Sequence, residues 1–384
     1  MSIDPGSPAS PAAGDSARGE GAVRGRISRA AEALARAGKD ALILTPSTDF
    51  LYLTGIRPPL RERMLALGVT AGGTVRMVVP GFETDAVAPA ADAGIELITW
   101  SDGEDPAALL LEGLDLGPRP KIAAGAETPM RFPLELMRHA EITWTSGDEI
   151  LAPLRMRKSA EELELLRQAA RADDETYRLL LETTEFRGRT EQAVEQDLRR
   201  HLEATGHDLS GAFSIVAAGA NAAMPHHHPG EAVLRDGMGV LTDFGGPRGG
   251  YCSDMTRTWN LGPAPARLKE VHGIVLEANR AGLAAVRPGA TAESVDAAVR
   301  RVIDEAGYGE HFIHRTGHGI GLDVHEPPYL VAGDSTVLEE GMTFSIEPGI
   351  YIPGELGVRI EDIVVVTAEG GESLNQADRS LLEV

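Results

Sequence analysis

Two pairs of carboxylates flank tight turns in the second half of the chain, Asp243 and Asp254 around GGPRGG and Glu347 and Glu361 around PGELG. If the first hairpin is regular and turns about Arg248 and Gly249, Asp243 and Asp254 face each other with Cβ atoms about 5 Å apart. Pairing about Gly354 likewise sets Glu347 opposite Glu361. Like charges opposed in a sheet destabilise it, so two such pairs on apolar strands point to a compensating cation. His318, in HRTGHGIGLDVHE, adds a neutral nitrogen from a glycine-rich stretch where backbones can approach closely. Four carboxylates and one imidazole suit two divalent ions that share bridging carboxylates. With 58 Asp and Glu in the chain, any single one is more often solvated than a ligand. The joint pattern of matched hairpins and histidine is what carries the metal assignment.

Neighbouring residues fall into place around these five. Arg359 precedes Glu361 by two and so shares its strand face, where it can orient a carboxylate, meet substrate or form a plain salt bridge. Cys252 shares a face with Asp254, but flanking carboxylates raise a thiol's pKa, so a buried inert thiol is expected. His226, His227 and His228 form a run in MPHHHPG. Adjacent histidines point alternately and do not chelate one ion, and His227 and His228 read as a solvated loop.

The elements that must position these groups form two domains. In residues 23–150, RISRAAEALARAG is followed by short apolar runs, DALILTP, VRMVVP, GIELITW, PKIAAG and AEITW, which argue an α/β domain with a mixed sheet. No metal-ligand spacing or phosphate loop occurs there. Residues 151–158, LAPLRMRK, read as a linker. From 159 to 384, a helix of about 24 residues opens on a capping box of Ser159 and Glu162. A second helix runs from Thr190 to a stop at Gly206, and FSIVAAG, GVLTDFG and YCSDMTRTW follow as strands. The order then recurs, with two helices, the later one capped by Thr291 and stopped by Gly307, ahead of MTFSIEPGIYI and GVRIEDIVVV. Two similar α+β halves around a shared cleft are the expectation.

Composition narrows the function classes. A length of 384 residues and an apolar share of 42% allow two or three domains with a sizeable core. The formal charge of −22, with no basic block, argues against nucleic acid as a partner. No apolar run approaches the roughly 18 residues a membrane span needs. Residues 1–22 are biased to Pro, Gly, Ser and Ala, fit no targeting segment and read as a disordered tail. The single cysteine agrees with a reducing compartment, so a cytoplasmic protein is expected.

TDFGGPRGGYCSDMTRTW, HRTGHGIGLDVHE, SIEPGIYIPG and GVRIEDIVVV resemble the metal motifs of the creatinase, aminopeptidase P and prolidase family, and RISRAAEALARAGKDALILTPSTDFLYLTGI resembles its N-terminal domain. The resemblance implies a pita-bread catalytic domain with pseudo-twofold duplication behind a smaller α/β domain. It also implies a peptidase that cuts the Xaa-Pro bond of dipeptides or short peptides with two divalent ions, manganese foremost and Co, Zn or Fe as options. Asp243 would hold one ion, His318 and Glu347 the other, while Asp254 and Glu361 bridge them. Glu347 corresponds to the proton shuttle, His226 and His325 to histidines near the scissile carbonyl, and His314 to a position on the leaving-group side. Tyr329, in HEPPYL, stands where prolidase-like dipeptidases carry an arginine for the substrate's C-terminal carboxylate, so the resemblance implies some tolerance of longer peptides. A homodimer is expected, with STDFLYLTG approaching the neighbour's cleft. The competing possibility is a member without metal, creatinase-like or a noncatalytic peptide binder, against which all five ligand positions are filled.

Overall fold

The computed structural model describes residues 19–384. The expected tail therefore lies mostly outside the described residues, and its last three positions open a helix, Glu20–Ala37. Val23, Ile27, Ala30, Ala31 and Leu34 form the buried stripe of that helix, and Gly38 ends it in the left-handed region. The chain divides into two compact units between Arg155 and Met156.

The N-terminal unit is built on a six-stranded mixed sheet. Its order is Glu96–Trp100, Val75–Pro80, Ala66–Thr70, Ala41–Leu44, Lys121–Ala124 and Thr143–Ser146. Five of these are the apolar runs read from the sequence. The sixth, Ala66–Thr70, is fully buried in the sheet interior but short and interrupted by Gly68, so its pattern is weak. The division between the two units falls within the expected 151–158 linker, of which residues 151–156 are helical, completing Asp148–Met156 with Pro153 inside it. Burial of Ile150 and Leu151 outweighs the one amide donor that the proline removes. Every residue of the helix Thr48–Thr54 is buried, and Ser47 and Gly55 at the ends of STDFLYLTG are half-buried.

The C-terminal unit is duplicated. Helices Ala160–Thr183 and Glu191–Ala204 precede a three-stranded sheet, and helices Ala266–Ala285 and Ala292–Glu305 precede the strands of the second half. The capping box of Ser159 and Glu162 is present, and Thr190 accepts from the Ala193 amide. Thr291 holds the equivalent cap position, but its side chain makes no cap bond. The backbone substitutes there, with Ala292 N donating to Thr336 O and Glu293 N to Asp334 O. The first half repeats this device, Glu191 N donating to Ala232 O and Gln192 N to Gly230 O, and the bridges Thr190–Val233 and Thr291–Val337 correspond.

Register differs from expectation in one hairpin. Strands Gly239–Arg248 and Tyr251–Asn260 pair Arg248 with Tyr251, so the two-residue turn is Gly249-Gly250. Both glycines have positive φ, 61° and 86°, as this tight hairpin turn requires and an arginine resists. Asp243 therefore opposes Thr256 and Asp254 opposes Gly245, a shift of two that keeps both carboxylates on one face. The second hairpin follows expectation, with Ile346 opposite Asp362 and Gly349 opposite Arg359, which places Glu347 and Glu361 opposite each other between two short ladders. The halves meet here: Glu361 N donates to Thr256 O, and the Thr258 hydroxyl bonds both backbone groups of Arg359.

Candidate metal centre

All five expected ligands converge in one cleft of about 620 Å³ within the C-terminal unit. Asp254, His318 and Glu361 are buried, with Asp243 only slightly accessible. Two overlapping triples bring their ligand atoms within 4.8 Å of one another, Asp243 with Asp254 and Glu361, and His318 with Glu347 and Glu361. His318 Nε2 lies 3.3 Å from Glu347 Oε1 and 3.6 Å from Asp254 Oδ2. Gly317 and Gly319 permit this approach, since a Cβ on Gly317 would sit 1.9 Å from Ser345 O and one on Gly319 2.2 Å from Pro327 O.

These groups fit a divalent cation. Asp243 Oδ1, Asp254 Oδ1 and Glu361 Oε1 are buried and receive no hydrogen bond, an arrangement that is costly for carboxylates and suits metal coordination. His318 Nδ1 faces the Gly319 carbonyl at 3.1 Å and must carry the proton, so Nε2 offers a lone pair to the cluster. Burial, and then the neighbouring carboxylates, push Asp254 and Glu361 well above the usual carboxylate range. Burial lifts Glu347 to about 7 and lowers His318 to about 3. A cation answers all four, because it stabilises ionised carboxylates and takes a neutral imidazole.

Outer residues hold the carboxylates in place. Arg359 donates to Asp243 Oδ2 at 2.6 Å, to the Tyr351 hydroxyl at 2.7 Å and to Thr256 Oγ1 at 3.0 Å, and Thr256 in turn donates to Glu361 Oε2. All three guanidinium nitrogens are thus engaged, and Arg359 orients the Asp243 carboxylate from the cleft wall. Ser345 Oγ donates to Glu347 Oε1 and accepts from the His318 amide. His314 lines the cleft, yet its Nδ1 faces Arg315 O at 2.7 Å and its Nε2 the Tyr351 hydroxyl at 2.8 Å. Burial, then the Arg359 charge, hold it neutral at about 4.

His226 and His325 both line the cleft, and the His325 ring stands edge-on to His318 with centroids 4.2 Å apart. His227 departs from the solvated-loop expectation: it donates to the buried Glu191 at 2.7 Å. Glu191 also accepts from Ala218 N, Asn221 Nδ2 and Gly230 N, tying down the loop that presents His226. Glu326, beside His325, forms a buried ion pair with Lys158 at 2.7 Å. Tyr329 does not line the cleft, whereas Arg315 does, over its ring. Cys252 is buried as expected. Ser253, His207 and Asp173 are within hydrogen-bond reach of one another, but all three are fully buried and cannot meet substrate as a nucleophilic triad. Tyr351, Thr256, Arg315 and Glu191 were not singled out in the sequence. Only the period-2 spacing of Thr256 from Asp254, and the place of Arg315 within the histidine-glycine segment, offered any signal.

Among the described residues no helix is long and apolar enough to cross a membrane. Residues 164–368 match metallopeptidase family M24, and residues 26–157 match the Creatinase/Prolidase N-terminal domain. The chain is 42% identical to the probable dipeptidase PepE of Mycobacterium tuberculosis over 94% of its own length and 96% of that protein. It superposes on the crystal structure of dipeptidase PepE from Mycobacterium ulcerans with a TM-score of 0.90 at 40% identity, covering 95% of this chain and 98% of that one. The Xaa-Pro dipeptidase from Bacillus anthracis gives a TM-score of 0.85 at 32% identity, covering 94% and 100%. The family implies use of a divalent metal, for which the carboxylate and imidazole cluster supplies the donors. With the family match spanning over half the chain and relatives of this identity along nearly all of it, the chain belongs to metallopeptidase family M24 and is an enzyme of that family.

Proposed function

We propose that the protein is an Xaa-Pro dipeptidase working with two divalent ions, manganese foremost. The observation that carries this is the convergence of three unpartnered carboxylate oxygens and the His318 Nε2 lone pair in one cleft. Two triples that share Glu361 support a pair of ions: Asp243 would serve one, His318 and Glu347 the other, and Asp254 and Glu361 both. Mainly oxygen ligation with one imidazole suits manganese. When bound, such ions supply an acidified water and Lewis-acid polarisation of the scissile carbonyl. The protein's own groups do the rest. His226 and His325 face the cleft as donors for the carbonyl oxygen as negative charge develops. Burial, then the Arg315 charge, lower the His325 pKa and favour a neutral ring that donates without a counter-ion. Glu347, held by Ser345, carries the water's proton to the leaving proline nitrogen.

The relatives support the substrate class, short proline-containing peptides, since one is an Xaa-Pro dipeptidase and another a probable dipeptidase. The proposal extends to a cytoplasmic homodimer, the dimer to be tested by sedimentation, where a fully active monomer removes that part alone. The decisive experiment strips the purified protein with chelator, reloads it with manganese, counts bound ions, and measures hydrolysis of Xaa-Pro against Xaa-Ala dipeptides. Two ions per chain, recovery of Xaa-Pro cleavage on reloading, and its loss in His318→Ala are expected. Full activity without a divalent ion rejects the metal centre, and indifference to proline rejects the specificity.

A further inference from the structure

His325 is open to the cleft, whereas the next residue, Glu326, is buried. The Glu326 carboxylate meets Lys158 Nζ at 2.7 Å, and the two side chains are 4% and 2% exposed. Glu326 opens the strand Glu326–Leu330, where successive side chains take opposite faces. The carboxylate that turns into the protein therefore turns the His325 ring out to the cleft.

Glu326 pairs with Gly319 across the sheet, and residues 320–325 form the loop between them. That loop is fastened from beneath. Cys252 N donates to Gly321 O at 2.7 Å, and the Cys252 thiol donates to Leu322 O at 3.5 Å. Gly321 packs against the ion pair, since a Cβ there would sit 2.7 Å from Glu326 Oε1 and 3.0 Å from Lys158 Cε. Lys158 is held in turn by its own amide, which donates to Gly341 O at 2.9 Å. The Cys252 contacts hold the start of the loop, and the ion pair closes its end next to His325.

Stability does not account for such a pair, because the cost of desolvating two charges offsets much of their attraction, and apolar residues of similar size are often as stable. A charged pair adds direction. Lys158 fixes where the carboxylate lies and so, one peptide unit away, where the His325 ring lies. That ring stands edge-on to His318 with centroids 4.2 Å apart, and a small displacement takes its donor off the carbonyl oxygen. We propose that the buried Lys158–Glu326 pair positions His325, aiming its ring at the scissile carbonyl from a place where neither residue lines the cleft. This rests on the reading of His325 as a carbonyl donor given above.

The test uses manganese-loaded protein with measured metal content and reads kcat and KM on Ala-Pro and Ala-Ala, so that it holds whichever is cut. Glu326→Gln and Lys158→Met should each lower kcat about 10-fold or more, with KM and bound metal little changed. In a His325→Ala background the same substitutions should alter kcat by less than about 2-fold, because the ring they aim is gone. Lys158→Met combined with Glu326→Leu separates positioning from folding: this apolar pair should unfold at a denaturant concentration close to that of wild type while kcat stays low. In chelated protein the His325 ring resonances, assigned by their loss in His325→Ala, should shift in Glu326→Gln. Recovery of wild-type kcat by the apolar pair overturns the proposal, as do unshifted ring resonances, an equal loss with and without His325, or bound metal that falls in step with kcat. If His325→Ala keeps full kcat, the donor reading falls and the positioning role with it. If His325→Ala is impaired and Glu326→Gln is not, the positioning role alone falls.

Discussion

His318 presents Nε2 to Glu347 Oε1 at 3.3 Å while Nδ1 is committed to the Gly319 carbonyl. A lone pair thus faces a carboxylate oxygen, an arrangement that a shared cation converts from repulsion to attraction.

The contribution of these buried carboxylates to the stability of the chelated protein should therefore run against the usual acid response. Burial raises Glu347 from 4.5 to about 7 and, with the neighbouring carboxylates, lifts Asp254 and Glu361 well above the usual carboxylate range. Between about pH 4.5 and 7 these carboxylates bind more protons in the folded chain than in the unfolded one, so their contribution to stability falls as pH rises through that window. Manganese at about 100 times its Kd should restore about 2.7 kcal/mol, a rise in Tm of roughly 5–10 °C. Calorimetry across this pH range, with and without metal, checks it; a melting point indifferent to metal at pH 7 contradicts it.

Tyr351→Phe should cost about 1–3 kcal/mol. It removes the hydroxyl shared by Arg359 Nη1 and His314 Nε2 and leaves both without that partner in the cleft wall. Denaturant unfolding reads the loss. A smaller decrease in metal affinity should accompany it, because Arg359 also steadies Asp243.

Glu191→Ala should loosen the loop that carries His226. The carboxylate accepts from two backbone amides, Asn221 and His227, and truncation strands all four donors. A loss of about 3–5 kcal/mol is expected, with faster amide exchange across residues 218–230. Wild-type exchange rates in that stretch would falsify the clamp.

His272 should contribute an acid-labile term. Burial first, and the Arg257 charge second, lower its pKa from 6.5 to about 4, and its Nε2 has no partner. The unfolded chain binds more protons between those values, so this contribution is intact above about pH 6.5 and lost as pH drops toward 4. The total is on the order of 3 kcal/mol. Unfolding free energies of His272→Gln and wild type, compared at each pH, should differ in slope over this window alone.

The sequence by itself determined the five candidate ligands that the cleft brings together, the two-domain order and the duplicated helix-helix-strand plan. Local rules reach that far: a carboxylate's face follows from period-2 alternation, and Asp243 and Asp254 stayed on one face although their hairpin turned at Gly249-Gly250 and shifted register by two. The helical form of the linker segment was not legible, because packing of Ile150 and Leu151 overrode Pro153, an effect that no local pattern records. Tertiary structure alone decided which partner each charge meets. Arg359 reaches Asp243 across 116 residues and His227 reaches Glu191 across 36, so neither pairing has a spacing to read. Arg315, in the loop before the strand Gly317–Gly319, lies over the ring of Tyr329 on the paired strand, a contact across 14 residues that alternation does not predict. Alternation along a strand assigns a face, but only the folded sheet assigns the neighbour.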